Sequence, residues 1–433
     1  MSAFVIVLFL ISAWIFLTIF LSARYQGEYK ANSLRLHFYV PFILIGSTRI
    51  SRFIDKLSKL MTRRIKIFLV IVALITMFLI VYVLGESSFI YLKNLLISGR
   101  KPPALSPRLA IALPGLNPII PISYGIVALI VAVVVHEVSH GMVARSEELD
   151  IEDTGVLFFV IPLGAYVNVK EEQLKEAPPN KRIKVFSSGP AINVILALVL
   201  LAGLSSMGHL IDAREGVLLL GGIEGTDAYG KVLEGDVLVA IENHSVVHPG
   251  DIGTILESLG KRPGDIVNLT IIRENDRRTI SVILSDRYNF TGNKSDMGKP
   301  FIGIFLVPID GKALAQFLAE PYKDLFLYIS LPFMRLAPIS RPISLMFQVP
   351  MPGVFWPVYN MLYWLFWMNI VLGTANALPA FPFDGYGILV GILDIMGGRA
   401  AILRRFSRHI LIVISVLTYI LVLLPYVGPL VFR

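Results

Sequence analysis

Residues 119–144 form a largely apolar run, long enough to cross a bilayer as a helix, that carries His136, Glu137 and His140. Ionisable groups at membrane depth are costly, so this stretch constrains the fold more than any other. Its centre, Val131–Gly141, reads VAVVVHEVSHG. The two histidines stand four apart and share a face of a helix. This is the H-E-x-x-H pattern, in which two imidazoles bind zinc and the glutamate serves as general base on water. Ile126–Val135, just before it, has no charged or strongly polar residue. The metal site is therefore expected inside a membrane helix.

Composition supports several spans. The 433 residues are 55% hydrophobic, and mean hydropathy is +0.70, too apolar for a soluble chain of this size. There are no cysteines, which excludes disulfides and thiolate metal sites, so any zinc must use His, Asp or Glu. The net charge of +8 could suggest nucleic acid, but its distribution excludes that reading. Residues 23–66 carry ten Lys/Arg against Glu28 and Asp55, so this one block accounts for the excess. It flanks two apolar spans and reads as a topology signal and a surface for lipid headgroups.

In chain order, Ala3–Leu21 is read as a retained first span, because no basic segment precedes it. The basic block follows inside the cell, which places the N-terminus outside; within it Ile50–Met61 has helical apolar spacing and is expected on the membrane surface. Ile67–Leu84 is the second span. Residues 85–118 form an outer loop broken by Pro102, Pro103, Pro107, Pro114 and Pro118. The third span, Ile119–Ala144, enters from outside, and His136 lies about 22 Å along it, in the cytoplasmic half. Val156–Val169, punctuated by Pro162 and Gly164, is too short and interrupted to span. It reads as a β-hairpin dipping into the membrane beside the metal. Val185–Met207 is the fourth span and carries Asn193, an expensive residue at that depth.

Residues 216–306 change character. Charges return, turns recur, and Val237–Ile241, Ile266–Ile272 and Thr279–Leu284 alternate as strands, giving a soluble α+β domain outside the cytoplasm. Tyr322–Tyr359, rich in proline and carrying Arg335 and Arg341, is expected to be interfacial or re-entrant rather than spanning. The fifth span, Val358–Leu378, runs into Asn376-Ala377-Leu378-Pro379-Ala380-Phe381-Pro382-Phe383-Asp384-Gly385, where prolines break the helix. Arg399, Arg404, Arg405 and Arg408 follow inside, and Ile410–Leu424 is the sixth span. A zinc site of this kind needs a third protein ligand, and Asp384, at the depth of His136, is the candidate.

These residues together resemble the site-two protease family of intramembrane zinc metalloproteases. The resemblance rests on His136-Glu137-Val138-Ser139-His140 with Asn376, Pro379, Pro382 and Asp384-Gly385, and covers about residues 119–425. It implies one zinc ion held by His136, His140 and Asp384, with Glu137 as base. Gly189-Pro190 and Asn193 match a G-P-x-x-N element whose asparagine is thought to help hold the substrate carbonyl or oxyanion, and Asn376 matches an asparagine thought to contact substrate. Val156–Val169 matches the family's membrane-embedded hairpin, and residues 216–306 resemble its inserted PDZ domain. Leu233-Glu234-Gly235-Asp236-Val237-Leu238 resembles that domain's turn, and Ile302-Gly303-Ile304 could form its carboxylate loop or simply a last strand. One departure is Phe383, where the family often has Leu.

The expected fold is a polytopic α-helical membrane protein with about six transmembrane helices, the embedded hairpin and an inserted extracytoplasmic PDZ-like α+β domain. Its parts are 1–118, a two-span region with a basic cytoplasmic loop; 119–210, the first part of the core; 216–306, the PDZ-like domain; 307–356, an interfacial connector; and 357–433, the second part of the core. The expected function is hydrolysis of peptide bonds in or near transmembrane segments of membrane proteins, at a multi-pass site in the cell membrane. Whether such substrates arrive trimmed by another protease stays open. The rival classes are a metal or proton transporter and a non-enzymatic membrane scaffold. A transporter should show paired interrupted helices in two similar halves, which are not evident, and the intact Glu137 argues against a dead site.

Overall fold

A computed structural model describes residues 3–32, 34–96, 106–110, 112–159, 161–273, 276–307, 310–334, 336, 339–398 and 401–431. Pro102, Pro103, Arg335 and Arg399 lie outside them. The elements run α1 (Ala3–Tyr25), β1 (Glu28–Ala31), β2 (Leu34–Tyr39), β3 (Phe42–Ser47), α2 (Thr48–Ser58), α3 (Arg63–Leu96), α4 (Ile122–Ser146), β4 (Ile151–Phe159), β5 (Ile161–Val169), α5 (Glu171–Glu176) and α6 (Pro179–Gly208). There follow β6 (Asp212–Ala213), β7 (Val217–Gly222), β8 (Val237–Ile241), β9 (His244–Ser245), α7 (Asp251–Ser258), β10 (Ile266–Arg273), β11 (Asp276–Ile283), β12 (Ser285–Asp286), α8 (Tyr288–Thr291), β13 (Pro300–Phe301) and β14 (Ile304–Leu306). The chain ends with α9 (Gly311–Ala319), α10 (Leu325–Ser330), α11 (Arg341–Ser344), β15 (Phe347–Gln348), α12 (Pro352–Asn376), α13 (Asp384–Gly397) and α14 (Ala401–Val431). Two compact units result, one of residues 1–200 and 364–433, the other of residues 201–363.

Among the described residues, four helices are long and apolar enough to cross a membrane: α3, α4, α6 and the Ser407–Tyr426 part of α14. The six expected spans also take in α1, whose described apolar stretch is Ile11–Tyr25, and α12, which is 25 residues long but diluted by Trp, Tyr and Asn.

The first unit is built around α4. Its buried positions, Gly125, Ala128, Ala132, His136, Ser139 and Val143, recur at helical spacing and are mostly small, so neighbours approach closely. Val143, Ala144, Leu69, Ala73, Ile183, Val185 and Ile388 form one core from α3, α4, α6 and α13. Glu147, just past the end of α4, is 7% exposed and receives Lys66 from α3 at 2.6 Å and Lys184 from α6 at 2.9 Å. α3 and α6 are thus both fastened to the end of α4 by a buried ion cluster. Removing one partner of such a cluster strands its charges. Glu147→Ala is therefore expected to cost about 3 kcal/mol and lower the thermal midpoint in detergent; an unchanged midpoint would show that the cluster does not brace the fold.

The hairpin is longer than Val156–Val169. β4 and β5 pair antiparallel from Ile151↔Val169 to Phe159↔Ile161, with register shifts between Ile151 and Asp153 and between Leu157 and Phe158, the second falling between paired Pro162 and Gly164. It is also not alone. β3 pairs with β4 through Ile43↔Phe158 to Gly46↔Gly155, so the order is β1-β2-β3-β4-β5. Part of the basic block, read above only as a cytoplasmic surface, is thus sheet. Gly155 is required there, because a Cβ would lie 2.0 Å from the Ile45 carbonyl oxygen. β5 is left as an edge strand. Asp150, between α4 and β4, takes Lys170 Nζ at 2.9 Å and Gln173 and Arg145 besides, and these bonds hold its carboxyl down to about 2. A depressed carboxyl pKa contributes stability above the ordinary carboxylate range and loses it as pH falls toward 2, so the open end of the hairpin stays pinned at neutral pH.

In the second unit a sheet of order β11-β10-β8-β7-β14, with β9 on β8, packs Leu219, Leu238, Ile241, Leu269 and Ile271 against Ile255 and Leu256 of α7. At the turn before β8, Gly235 adopts φ +96, and buried Asp236 takes Arg273 through two bonds of 2.7 Å and the Leu233 N–H at 2.9 Å. The connector residues belong to this unit, with β15 pairing β6.

Candidate metal centre

α4 brings His136 and His140 together on one face, and α13 delivers Asp384 at its first residue. Asp384 Oδ2 stands 3.0 Å from His136 Nε2 and 3.2 Å from His140 Nε2, and the two Nε2 atoms are 3.1 Å apart. Four tetrahedral ligands at zinc–nitrogen distance stand about 3.3 Å from one another, so this triangle matches one face of such a site. The protonation pattern agrees. His140 Nδ1 donates to the Val185 carbonyl at 2.8 Å, which leaves its Nε2 lone pair facing a carboxylate and a second imidazole. Such a convergence of acceptors calls for a cation. No other His, Cys, Asp or Glu group of three with this geometry occurs among the described residues.

Local sequence explains each placement. Asp384 is freed by the proline-broken segment after α12, and α13 can start there only because residue 385 is glycine: a Cβ would lie 2.3 Å from the Ala377 carbonyl oxygen. α13 was not foreseen as a helix. Its Gly387 and Gly391 seat Phe186 and Ile183 of α6. On α6, Gly189 lies against both imidazoles, and Ser139 Oγ donates to the Ser188 carbonyl at 3.0 Å, locking α4 to α6 between the two histidines.

A cavity of about 480 Å³ opens on the cluster, lined by Glu137, Asn376 and the Val167–Val169 edge of β5 as well as His136, His140 and Asp384. Glu137 Oε2 accepts a hydrogen bond from the Val167 N–H at 3.2 Å. Asn376 donates to the Leu372 carbonyl one turn back, at 3.1 Å. Asn193 is fully buried one turn beyond Gly189; its amide nitrogen donates to the Ala132 carbonyl at 3.3 Å and its Oδ1 has no hydrogen-bond partner. Ile302, Gly303 and Ile304 belong to the second unit. Ile302 is buried, Gly303 has φ +77 against the Thr226 side chain, and Ile304 opens the edge strand β14.

A family model described as Peptidase family M50 matches residues 124–422, which contain every residue of this cluster. The chain belongs to peptidase family M50. Membership makes it a member of the site-two protease group, a membrane metallopeptidase family that uses zinc. An uncharacterized protein of Methanocaldococcus jannaschii is 25% identical over 277 residues, covering 62% of this chain and 57% of that relative, so the match spans little more than half its length. The PDZ domain of an SdrC-like protein from Listeria monocytogenes is similar at 20% identity, over 24% of this chain and 96% of that one, with a TM-score of 0.19. The second domain of another listeria protein is similar at 27% identity, over 22% of this chain and 87% of that one, with a TM-score of 0.18.

For an M50 chain, the sequence signals missed here were backbone and packing features. Neither the Val167 N–H nor the contact of Gly189 with the imidazoles is a side-chain motif. Gly189 was singled out only as part of the G-P-x-x-N element, and nothing in that pattern says that it packs against the imidazoles.

Proposed function

We propose that this chain is an intramembrane zinc endopeptidase that cleaves peptide bonds in or near transmembrane segments of other membrane proteins. The observation that carries the reading is the convergence of His136, His140 and Asp384 beside Glu137 in a cavity bounded by a free strand edge. Zinc bound by those three residues would supply Lewis-acid polarisation and a more acidic water. Glu137 takes the proton of the attacking water and passes it to the leaving amine. A substrate helix hides its carbonyls, so it must unwind; addition as a strand to the β5 edge gives it an extended form with partners for its main chain. Asn376 lines the cavity and would meet that main chain. Asn193 spends one of its two amide N–H groups on the Ala132 carbonyl, which fixes α6 against α4, and the second remains to meet a scissile carbonyl. The second unit is read as PDZ-like, and Ile302–Ile304 as its weaker candidate for a peptide-end site.

The direct test is purified protein in detergent, assayed for bound zinc and for cleavage of a labelled single-span substrate. About one zinc per chain is expected, with cleavage lost on chelation and restored by zinc. Cleavage indifferent to chelation would sink the reading.

The proposed orientation places the N-terminus outside, residues 23–66 inside, 216–306 outside and 386–409 inside, with the metal in the cytoplasmic half of the bilayer. The chain lacks cysteine, so Lys59→Cys and Asp276→Cys, both at exposed positions, report cleanly. In intact cells an impermeant thiol reagent is expected to label only the second; labelling of the first alone would invert the topology.

A further inference from the structure

Glu137 is not free in its cavity. Its Oε2 takes the main-chain N–H of Val167, 3.2 Å away. Val167 lies on β5, whose other side is paired to β4 with Val167 opposite Thr154, and its bond to Glu137 shows that this N–H points out from the sheet's unpaired edge. The same edge, Val167–Val169, walls the cavity that contains the three ligating residues. An incoming strand would need this N–H for its own carbonyl. One donor thus serves two acceptors that are not present together.

We propose that the Val167 main chain is a positioning group shared between the two states: it holds the Glu137 carboxylate on the empty edge, and a substrate strand, by taking the N–H, releases that carboxylate toward the bond to be cut. This rests on the strand-addition reading above and goes further, since it makes Glu137 available only where a strand has docked. Without the exchange, the Glu137 carboxylate and a substrate carbonyl would both face a single donor, and one acceptor shielded by the docked strand would be left unpaired, which is the costly case. The exchange leaves none. It would also keep a zinc-loaded chamber from acting on a chain that merely collides with it: a helix that keeps its own hydrogen bonds offers no carbonyl to take the N–H.

The test is a binding cycle on the full-length, zinc-loaded protein in detergent, with a fluorescein-labelled peptide of about twenty Leu and Val residues interrupted by an Asn-Gly pair as the probe. Glu137→Gln keeps an acceptor for the Val167 N–H, whereas Glu137→Ala removes it. Neither is expected to cleave, so the readout is affinity. If the N–H is exchanged, Glu137→Ala binds the peptide about three- to tenfold more tightly than Glu137→Gln, the value of one net hydrogen bond. Adding Val167→Pro, which deletes the donor and is tolerated at an outward-facing edge position, abolishes that difference and weakens both. Equal affinities of the two Glu137 variants, with Val167→Pro weakening both, would refute the exchange while leaving strand addition standing. Affinities that do not respond to Val167→Pro at all would refute strand addition at this edge as well. Should Val167→Pro fail to retain zinc, the comparison of Glu137→Ala with Glu137→Gln still decides, because equality overturns the exchange.

Discussion

Glu137→Gln is expected to retain one zinc per chain and to lose cleavage by about 10³-fold, within the range of a general base removed from its substrate water. The substitution is close to isosteric. Its amide oxygen can still accept from Val167, and none of the three converging atoms belongs to residue 137. Only the ability to take a proton is deleted. The ligating residues should behave in the opposite way. His136→Ala and His140→Ala each remove one corner of a triangle whose sides are 3.0 to 3.2 Å, and Asp384→Asn removes the only negative charge in it. Each should lose or weaken zinc, with activity falling because the metal is gone. Zinc content and turnover measured on the same preparations separate the two classes. Full turnover by Glu137→Gln would end the mechanism, and full zinc in Asp384→Asn would move the third ligand elsewhere.

That contrast rests on residues legible from the sequence, and the reason is physical. Ionisable groups are so costly at membrane depth that His136, Glu137, His140 and Asp384 stood out against apolar surroundings, and the proline-broken stretch before Asp384 marked a helix start. What the sequence hid was of three kinds. Leu34–Ser47 forms two strands, yet its alternation of Leu34, Leu36 and Phe38 with Arg35, His37 and Tyr39 was masked by the surrounding positive charge, which reads as a loop. α13 was hidden by glycine, which has low helix propensity but here makes room for Phe186 and Ile183. The cluster of Lys66, Glu147 and Lys184 joins residues more than a hundred positions apart in the chain, and no local period announces it.

Gly189→Ala should be nearly as damaging as removal of a ligand, although residue 189 offers no functional atom. A Cβ built there lies 2.4 Å from His140 Nε2 and 2.6 Å from His136 Nε2, distances that real Cβ atoms essentially never show. The atoms that would have to give way are the two Nε2 nitrogens proposed to hold the metal. They cannot swing aside cheaply. His140 is tethered through Nδ1 to the Val185 carbonyl, and α6 is tied to α4 by Ser139 and by Asn193. Moving α6 outward would break those bonds, and turning the rings would break the triangle. The second outcome costs less, because it leaves the helix packing intact. Zinc affinity is therefore expected to fall by about 10- to 100-fold, the loss typical when the support of a ligand is disturbed, with the thermal midpoint of the zinc-free protein little changed. Gly203→Ala is the matched control on the same helix: nothing lies within 4 Å of its Cβ, and replacing a helical glycine there should be neutral or stabilise by about 0.5–1 kcal/mol. Competition with a chelator of known affinity measures both variants. If Gly189→Ala holds zinc as tightly as the unmodified chain, the imidazoles are not wedged against α6, and the close packing of that helix on the metal site is not what shapes it.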